Sequence, residues 1–340
     1  MAGLIRRRIA NISRRLSLEG MIRLTGQSHI FPFYHVVSDW HLPHIRHLYR
    51  YRRVDEFEKD LEQMLTYYEP VSLSDFLRIT HHGLHKPRIE GKRRRLMVLT
   101  FDDGLVECHQ TIAPILKQKG IPATFFLNNY FIDNRGLFYR FRASLVIDKI
   151  ISDCKAREKA AEFLDIPGER VEVAIGMIKY DQHALLDRLA REVEVDFVDY
   201  LREYPVYMNS QQVKELVDWG FEIGGHSPEH ADFSTLDPEE IIAQVKASIE
   251  DLRQRFGTSN SYFSFPFTSR SVPGEIIKTL MEEHHVEALL GTSGLKKTGK
   301  QGFIQRIPME EFDMPALEAL KGEYLYYMLK KPLFRNRYRY

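Results

Sequence analysis

The 340-residue chain is 44% hydrophobic and 28% charged, with a formal net charge of +1 and two cysteines. This balance allows one large core with an insertion, carries no global polyanion signal and leaves too few cysteines for a disulfide framework. Cys108 and Cys154 lack a metal spacing and read as reduced thiols. With no apolar run long enough for a signal peptide or a membrane span, the expected location is cytoplasmic.

In chain order, Met1 to Ser28 holds six arginines and one acid. Ile5, Ile9, Ile12 and Leu16 recur there at helical spacing beside Arg6, Arg8 and Arg15, the pattern of an interfacial helix on anionic lipid or of a basic helix docked on the domain. Phe31 to His35 is an aromatic, strand-like run ending in Tyr34-His35. His41, His44 and His47 then sit among Pro43, Arg46 and Arg50, which reads as a solvated cationic loop. Val54 to Tyr67 has helical periodicity, and Ser74 can cap a further short helix after Val71-Ser72-Leu73.

Arg95 to Phe101 is an apolar strand that stops abruptly at Asp102-Asp103-Gly104. Thr111 to Lys119 is helical and closed by Gly120, and Ile121 to Phe126 is the next strand. Arg142 to Leu164 and Asp181 to Tyr204 are both helically periodic, with Pro167-Gly168 between them, which predicts a helical insertion over about 133–207. Ser210 caps a short helix, Phe221-Glu222-Ile223 is a strand, and Asp237-Pro238-Glu239-Glu240 opens a helix that Gly257 ends. Tyr262-Phe263 leads into Ser264-Phe265-Pro266-Phe267, and Gly274 to Glu283 is helical. The pair His284-His285 that follows reads as surface. The C-terminal run repeats the basic, aromatic theme, with Tyr324, Tyr326, Tyr327, Phe334 and Tyr338 beside Lys330, Lys331, Arg335, Arg337 and Arg339. The chain thus divides into a basic segment 1–28, a domain 29–323 and a tail 324–340. Alternating strands and helices predict an α/β fold with parallel strands inside helices, closed or open.

The chemistry rests on two runs. Asp102 and Asp103, adjacent at the carboxyl end of a strand, would repel each other unless a cation lies between them. His226 and His230 have the spacing that puts two imidazoles on one face of a helical turn, and Pro228 fits there only in a first turn. One carboxylate and two imidazoles leave coordination positions open, so the implied chemistry is metal-assisted hydrolysis.

Thr100-Phe101-Asp102-Asp103-Gly104 followed by His226-Ser227-Pro228-Glu229-His230 resembles the first two motifs of the polysaccharide deacetylases, the NodB-homology group of carbohydrate esterases. The resemblance spans roughly Phe31 to Glu310 and implies a distorted (β/α) barrel of seven strands. It also implies Asp102 as general base, and Asp103, His226 and His230 as ligands of one divalent metal, with zinc first and cobalt, nickel or iron also compatible. Ser264-Phe265-Pro266-Phe267 resembles the third motif, so Pro266 would form a groove wall and the Phe267 N–H would stabilise an oxyanion. Ser264 stands where that motif has arginine, so the arginine-to-base contact is expected to be missing. The last motif's histidine has no counterpart in Phe303 to Glu310. A subgroup with an N-terminal Tyr-His takes its general acid from there, which makes His35 the candidate.

The expected activity is removal of N-acetyl groups from acetamido sugars of a polysaccharide, oligosaccharide or lipid-linked glycan. The basic ends suggest peripheral contact with anionic membrane at the cytoplasmic face, and no nucleic-acid partner is expected. Two competitors are a non-catalytic carbohydrate-binding module on the same fold and a metal hydrolase of another C–N amide bond.

Overall fold

Short runs of aromatic and aliphatic residues form the frame of the protein, and nearly all are buried on both faces, as parallel strands enclosed by helices must be. A computed structural model describes residues 12–81, 88–89, 92–310, 314–333 and 336–338. The frame strands are β1 (Pro32–Tyr34), β2 (Leu99–Phe101), β3 (Ala123–Leu127), β4 (Glu222–Gly225), β5 (Tyr262–Ser264), β6 (Ala288–Gly291) and β7 (Phe303–Gln305). Each pairs in parallel with the next. Beyond Arg306 the chain continues into Ile307–Pro308, which pairs back onto β1 with Ile307 opposite Pro32 and Pro308 opposite Phe33. The stretch 303–308 is therefore hydrogen bonded to β6 at one end and to β1 at the other. That closure makes a barrel of seven strand positions and rules out the open sheet that alternation alone allowed.

Side chains alternate across the barrel wall. Leu99, Phe101 and Phe125 belong to the layer under the helices, where the rings of Phe101 and Phe125 stack at 5.0 Å. Phe126, Leu290 and Ile304 belong with Tyr262 to a second cluster that fills the barrel. Burying one such aromatic side chain is worth about 1.5–3 kcal/mol. Gly224 is required by this packing, since a Cβ there would lie 2.5 Å from the Phe126 ring and 3.0 Å from the Tyr262 carbonyl oxygen.

Around the frame lie α1 (Leu18–Thr25), α2 (Val54–Leu65), α3 (Leu73–His81) and α4 (Ala113–Lys119). The insertion contributes α5 (Tyr139–Ser152), α6 (Cys154–Leu164), α7 (Val171–Gly176), α8 (Ala184–Glu192) and α9 (Phe197–Glu203), and the chain ends with α10 (Ser210–Asp218), α11 (Pro238–Phe256), α12 (Gly274–Glu282) and α13 (Ala316–Lys330). Helix α3 plugs one end of the barrel with Leu73, Phe76 and Leu77. Its start is held by Glu222, which accepts the Leu73 and Ser74 N–H groups at 3.0 and 3.1 Å, a carboxylate placed at the positive end of a helix.

Several local expectations shift. The long helix expected from Arg142 breaks at Asp153, whose carboxylate caps α6 through the N–H groups of Lys155 and Ala156. Asn209 rather than Ser210 caps α10, and Ser72 rather than Ser74 accepts the Asp75 N–H. Asp237 makes no side-chain cap, so α11 starts on Pro238 alone. The loop 41–50 is not a solvated cationic loop: His44 and Ile45 are buried, and the loop packs on the insertion through His44 Nδ1 to Tyr200 Oη at 2.8 Å and His47 Nε2 to Asp148 at 3.0 Å.

At the ends, α1 buries Leu18, Met21 and Ile22, and Tyr324 is wholly buried with its hydroxyl donating to the Gln27 carbonyl oxygen at 2.7 Å. Position 324 therefore lies inside α13, not at the start of a tail. Ile5, Arg6, Arg8, Ile9, Phe334, Arg335 and Arg339 lie outside the described residues. No described helix is long and apolar enough to cross a membrane.

Candidate active site

The carboxyl ends of β2 and β4 deliver the two motif runs to one spot. Asp102 is anchored by its N–H to the Tyr34 carbonyl oxygen at 3.0 Å, and His226 by its N–H to the Leu127 carbonyl oxygen at 2.9 Å. His226 to His230 is a loop and not the first turn of a helix. Ser227 and His230 take φ values of 65° and 56°, and this left-handed backbone bends the loop until both imidazoles face the same point. Asn128, buried beneath it, donates its amide to the His226 and Ser227 carbonyl oxygens at 2.6 and 3.1 Å. Asp103 and Phe267 also have left-handed backbones, at 74° and 54°. Such conformations cost on the order of 1–3 kcal/mol each and persist only where the surroundings over-determine them.

Asp103 Oδ1 lies 3.5 Å from His226 Nε2 and 3.4 Å from His230 Nε2. These three ligand atoms fall within 4.8 Å of one another, and Asp103 Oδ1 is buried with no hydrogen-bond partner among the described residues. A buried carboxylate oxygen left this way is costly unless a cation meets it. His226 Nδ1 is 2.7 Å from the Ser264 carbonyl oxygen, which can only accept, so the proton sits on Nδ1 and the Nε2 lone pair faces Asp103. Burial, partly opposed by Asp103, lowers the His230 pKa to about 3 and keeps that ring neutral. Burial opposes it, but the hydrogen bonding and electrostatic surroundings supplied by His230, His226 and the protonated His35 keep the Asp103 carboxyl below its ordinary range. Two neutral imidazoles and one carboxylate fit a divalent cation.

Asp102 has a different partner. Arg306, fully buried at the turn between β7 and Ile307–Pro308, donates Nη1 to Asp102 Oδ1 at 2.8 Å and Nη2 to Oδ2 at 2.7 Å. The same guanidinium donates to Thr100 Oγ1 at 3.0 Å and Ser264 Oγ at 2.6 Å, and it lies between the rings of Phe33 and Phe126. Ser264 in turn donates to Asp102 Oδ2 at 3.2 Å. The expectation that the base lacks an arginine is therefore corrected: the cation comes from the barrel-closing stretch, and the small Ser264 leaves room for it. The signal was an arginine in the apolar run Phe303 to Met309, which could only be buried there with a carboxylate. Burial works against it, but the Arg306 charge keeps Asp102 below its ordinary pKa.

His35 emerges from β1 on the facing side. Its Nδ1 is 2.6 Å from Glu310, which also accepts the His35 and Val36 N–H groups at 3.0 Å. Burial would lower the His35 pKa, but the charge and hydrogen bond of Glu310, with Asp103 and Asp102 behind, raise it to about 9. Tyr49 packs its ring on His35 at 5.3 Å. Glu310 was not singled out from sequence, because its pairing with His35 spans 275 positions.

Asp102, Asp103, His226, His230, His35 and Glu310 line one cavity of about 330 Å³ together with Phe33, Leu48, Tyr49, Phe265, Phe267, Thr292 and Pro308, while Arg306 and Ser264 lie behind its wall. The insertion adds Phe138, Arg140 and Phe141, so it roofs the site as well as decorating the barrel. Phe138 and Phe267 pack their rings against His230 at 4.3 and 4.7 Å. Pro266 is buried next to Phe267 but does not line the cavity.

A profile described as Polysaccharide deacetylase matches residues 90–280, more than half of the chain. The chain belongs to the polysaccharide deacetylase family. The fold agrees with that of solved polysaccharide deacetylase-like structures. A Streptococcus pyogenes deacetylase, PplD, in complex with acetate is 13% identical with a TM-score of 0.56, the match covering 86% of this chain and 97% of that one. IcaB from Ammonifex degensii is 14% identical with a TM-score of 0.54, covering 87% of this chain and 98% of that one. At these identities the likeness speaks for the fold. No curated protein matches the chain.

Replacing Arg306 by Met should leave Asp102 buried without its cation and cost about 3–5 kcal/mol of stability, the range for breaking a buried ion pair. Urea unfolding of the variant near neutral pH is the measurement, and a loss below about 1 kcal/mol would mean that the pair does not hold the barrel closed.

Proposed function

We propose that this polysaccharide deacetylase family member is a metal-dependent hydrolase that removes the N-acetyl group of an acetamido sugar. One observation carries the reading: a carboxylate held ionised by Arg306 and a histidine held protonated by Glu310 line the same apolar-walled cavity as the Asp103, His226 and His230 cluster. Environments that push two titratable groups apart in this way mark a base and an acid.

Asp103, His226 and His230 would hold one divalent cation, zinc in the first instance, which polarises a carbonyl and lowers the pKa of water toward about 7. Asp102 takes the proton of the attacking water, and its fork of hydrogen bonds to Arg306 fixes the carboxylate plane. The Phe267 N–H, presented by a left-handed residue in the cavity wall, donates to the oxyanion as charge develops. His35 gives its proton to the departing amine, and Glu310 stabilises the imidazolium until that transfer. A binding module has no use for such an acid and base, and the arginine whose absence favoured that alternative is supplied by Arg306.

The substrate reading is an acetamido sugar of a polysaccharide, oligosaccharide or lipid-linked glycan, and the proposed setting is the cytoplasmic face of an anionic membrane. Support for the setting comes from the N-terminal segment, where Ile12, Leu16 and Leu24 are 69%, 40% and 72% exposed beside the exposed Arg14, Arg15 and Arg23.

Acetate release from acetamido sugars, followed with and without added divalent metal, should be metal-dependent and fall about 100- to 10,000-fold in Asp102→Asn. Stoichiometric metal binding with no release from any acetamido sugar would leave only a binder. The pH profile of kcat/KM should show an alkaline limb near the His35 pKa of about 9, because the protonated form is the active one and is lost as pH rises through it. In Glu310→Gln the limb should move down by about 1–3 units, the effect of removing one close opposite charge; an unmoved limb would exclude His35 as the acid. For the membrane contact, Leu16→Glu/Leu24→Glu should abolish co-flotation with phosphatidylserine vesicles, and equal flotation would refute it.

A further inference from the structure

Among the described residues Arg140 is the only lysine or arginine in the lining of the catalytic cavity, and no carboxylate there pairs with it. Its Nε donates to Tyr139 Oη at 3.3 Å, and its Cζ lies 5.3 Å from the centre of the Phe267 ring. That ring in turn packs on His230 at 4.7 Å. The guanidinium is thus two contacts from the metal cluster, exposed at the mouth, with its Nη groups turned to no acid. Of the carboxylates in the lining, Asp103 faces the imidazoles of His226 and His230, and the other two are matched by charge, Asp102 by Arg306 and Glu310 by His35. Neither pairing leaves a carboxylate for Arg140.

The cavity is also small. Its volume of about 330 Å³ lies at the lower end of the roughly 300–1,000 Å³ of small-molecule sites, and the helix that supplies Arg140 helps to roof it through Phe138 and Phe141. A cavity of this volume matches one sugar ring with its acetamido group better than several linked residues. Helix α5 begins at the same place and carries no acid in its first turn, so its dipole adds to the positive field that Arg140 creates.

Resting on the deacetylase reading, we infer that the preferred substrate is a single or terminal acetamido sugar bearing an oxyanion, phosphate or carboxylate, and that Arg140 is the specificity-determining residue that receives it. A guanidinium meets either anion with two parallel hydrogen bonds, and with the acetamide at the floor of the cavity a neighbouring ring substituent points to the mouth. Phe138, Phe141 and Phe267 supply the apolar walls for the sugar face. The insertion then selects the substrate, while the barrel supplies the chemistry.

The test compares kcat/KM for N-acetylglucosamine, its 1-phosphate, a prenyl diphosphate-linked form and N-acetylmuramic acid, in wild type, Arg140→Ala and Arg140→Lys. Calorimetric binding of the 1-phosphate to the full chain is measured alongside. Wild type should prefer an anionic sugar by about 10- to 100-fold, the worth of a charged hydrogen bond. Arg140→Ala should erase that ratio through KM, and Arg140→Lys should keep part of it. The prenyl and free phosphate arms separate a lipid-linked source from a soluble one, and N-acetylmuramic acid reports the carboxylate. Equal kcat/KM for neutral and anionic sugars, or binding of the 1-phosphate that is unchanged in Arg140→Ala, would overturn the inference. Arg140-dependent binding without acetate release would uphold the anion site and defeat the hydrolase reading instead.

Discussion

The ion pair between Arg306 and Asp102 is the constraint around which the molecule is arranged. Two charges taken fully out of water cost several kcal/mol each, and only a complete set of hydrogen bonds recovers that cost. The barrel provides it: both carboxylate oxygens meet the guanidinium fork, Thr100 and Ser264 accept from the same group, and two aromatic rings cover its faces. Arg306 sits where the stretch 303–308 passes from pairing with β6 to pairing with β1, so closure of the barrel and burial of the ion pair come together. Stability of the frame and orientation of the Asp102 carboxylate are thus served by the same contacts.

The same logic separates the two aspartates. Asp102 and Asp103 are adjacent in sequence, yet the left-handed backbone at Asp103 turns its side chain away toward the imidazoles. One carboxylate is thereby committed to an arginine and the other to a pair of imidazoles. Across the cavity the His35 and Glu310 pair reverses the order, with a carboxylate serving to keep an imidazole charged. Each titratable group is set by its immediate partner more than by its own chemistry.

How much of this was legible in the sequence follows from distance along the chain. Asp102-Asp103-Gly104 and His226 to His230 are local runs after apolar strands, so a set of one carboxylate and two imidazoles could be read from them, whereas closure of the barrel came only through the family resemblance. His35 could be read only through a family resemblance. Arg306 and Glu310 contact Asp102 and His35 across 204 and 275 positions, and no local pattern encodes such pairings. The loop at His226 was misread as a helical turn because i, i+4 spacing is shared by helices and by loops bent through left-handed residues. The loop around His44 reads as solvated because the insertion that buries it contacts it across 101 and 156 positions.

Closure of the barrel by 303–308 has a consequence for the order of assembly. Arg306 and Glu310, the partners of Asp102 and His35, follow the rest of the cavity wall, Pro308 apart, by many positions in the chain. Contacts of such sequence separation form late, since loop-closure entropy is paid before they reward it. A chain in which the stretch 303–308 has not yet inserted can bring Asp103, His226 and His230 together without either partner, so on the hydrolase reading proposed above its competence arrives only with that last insertion. The fold in this way withholds its reactivity from incomplete copies of itself.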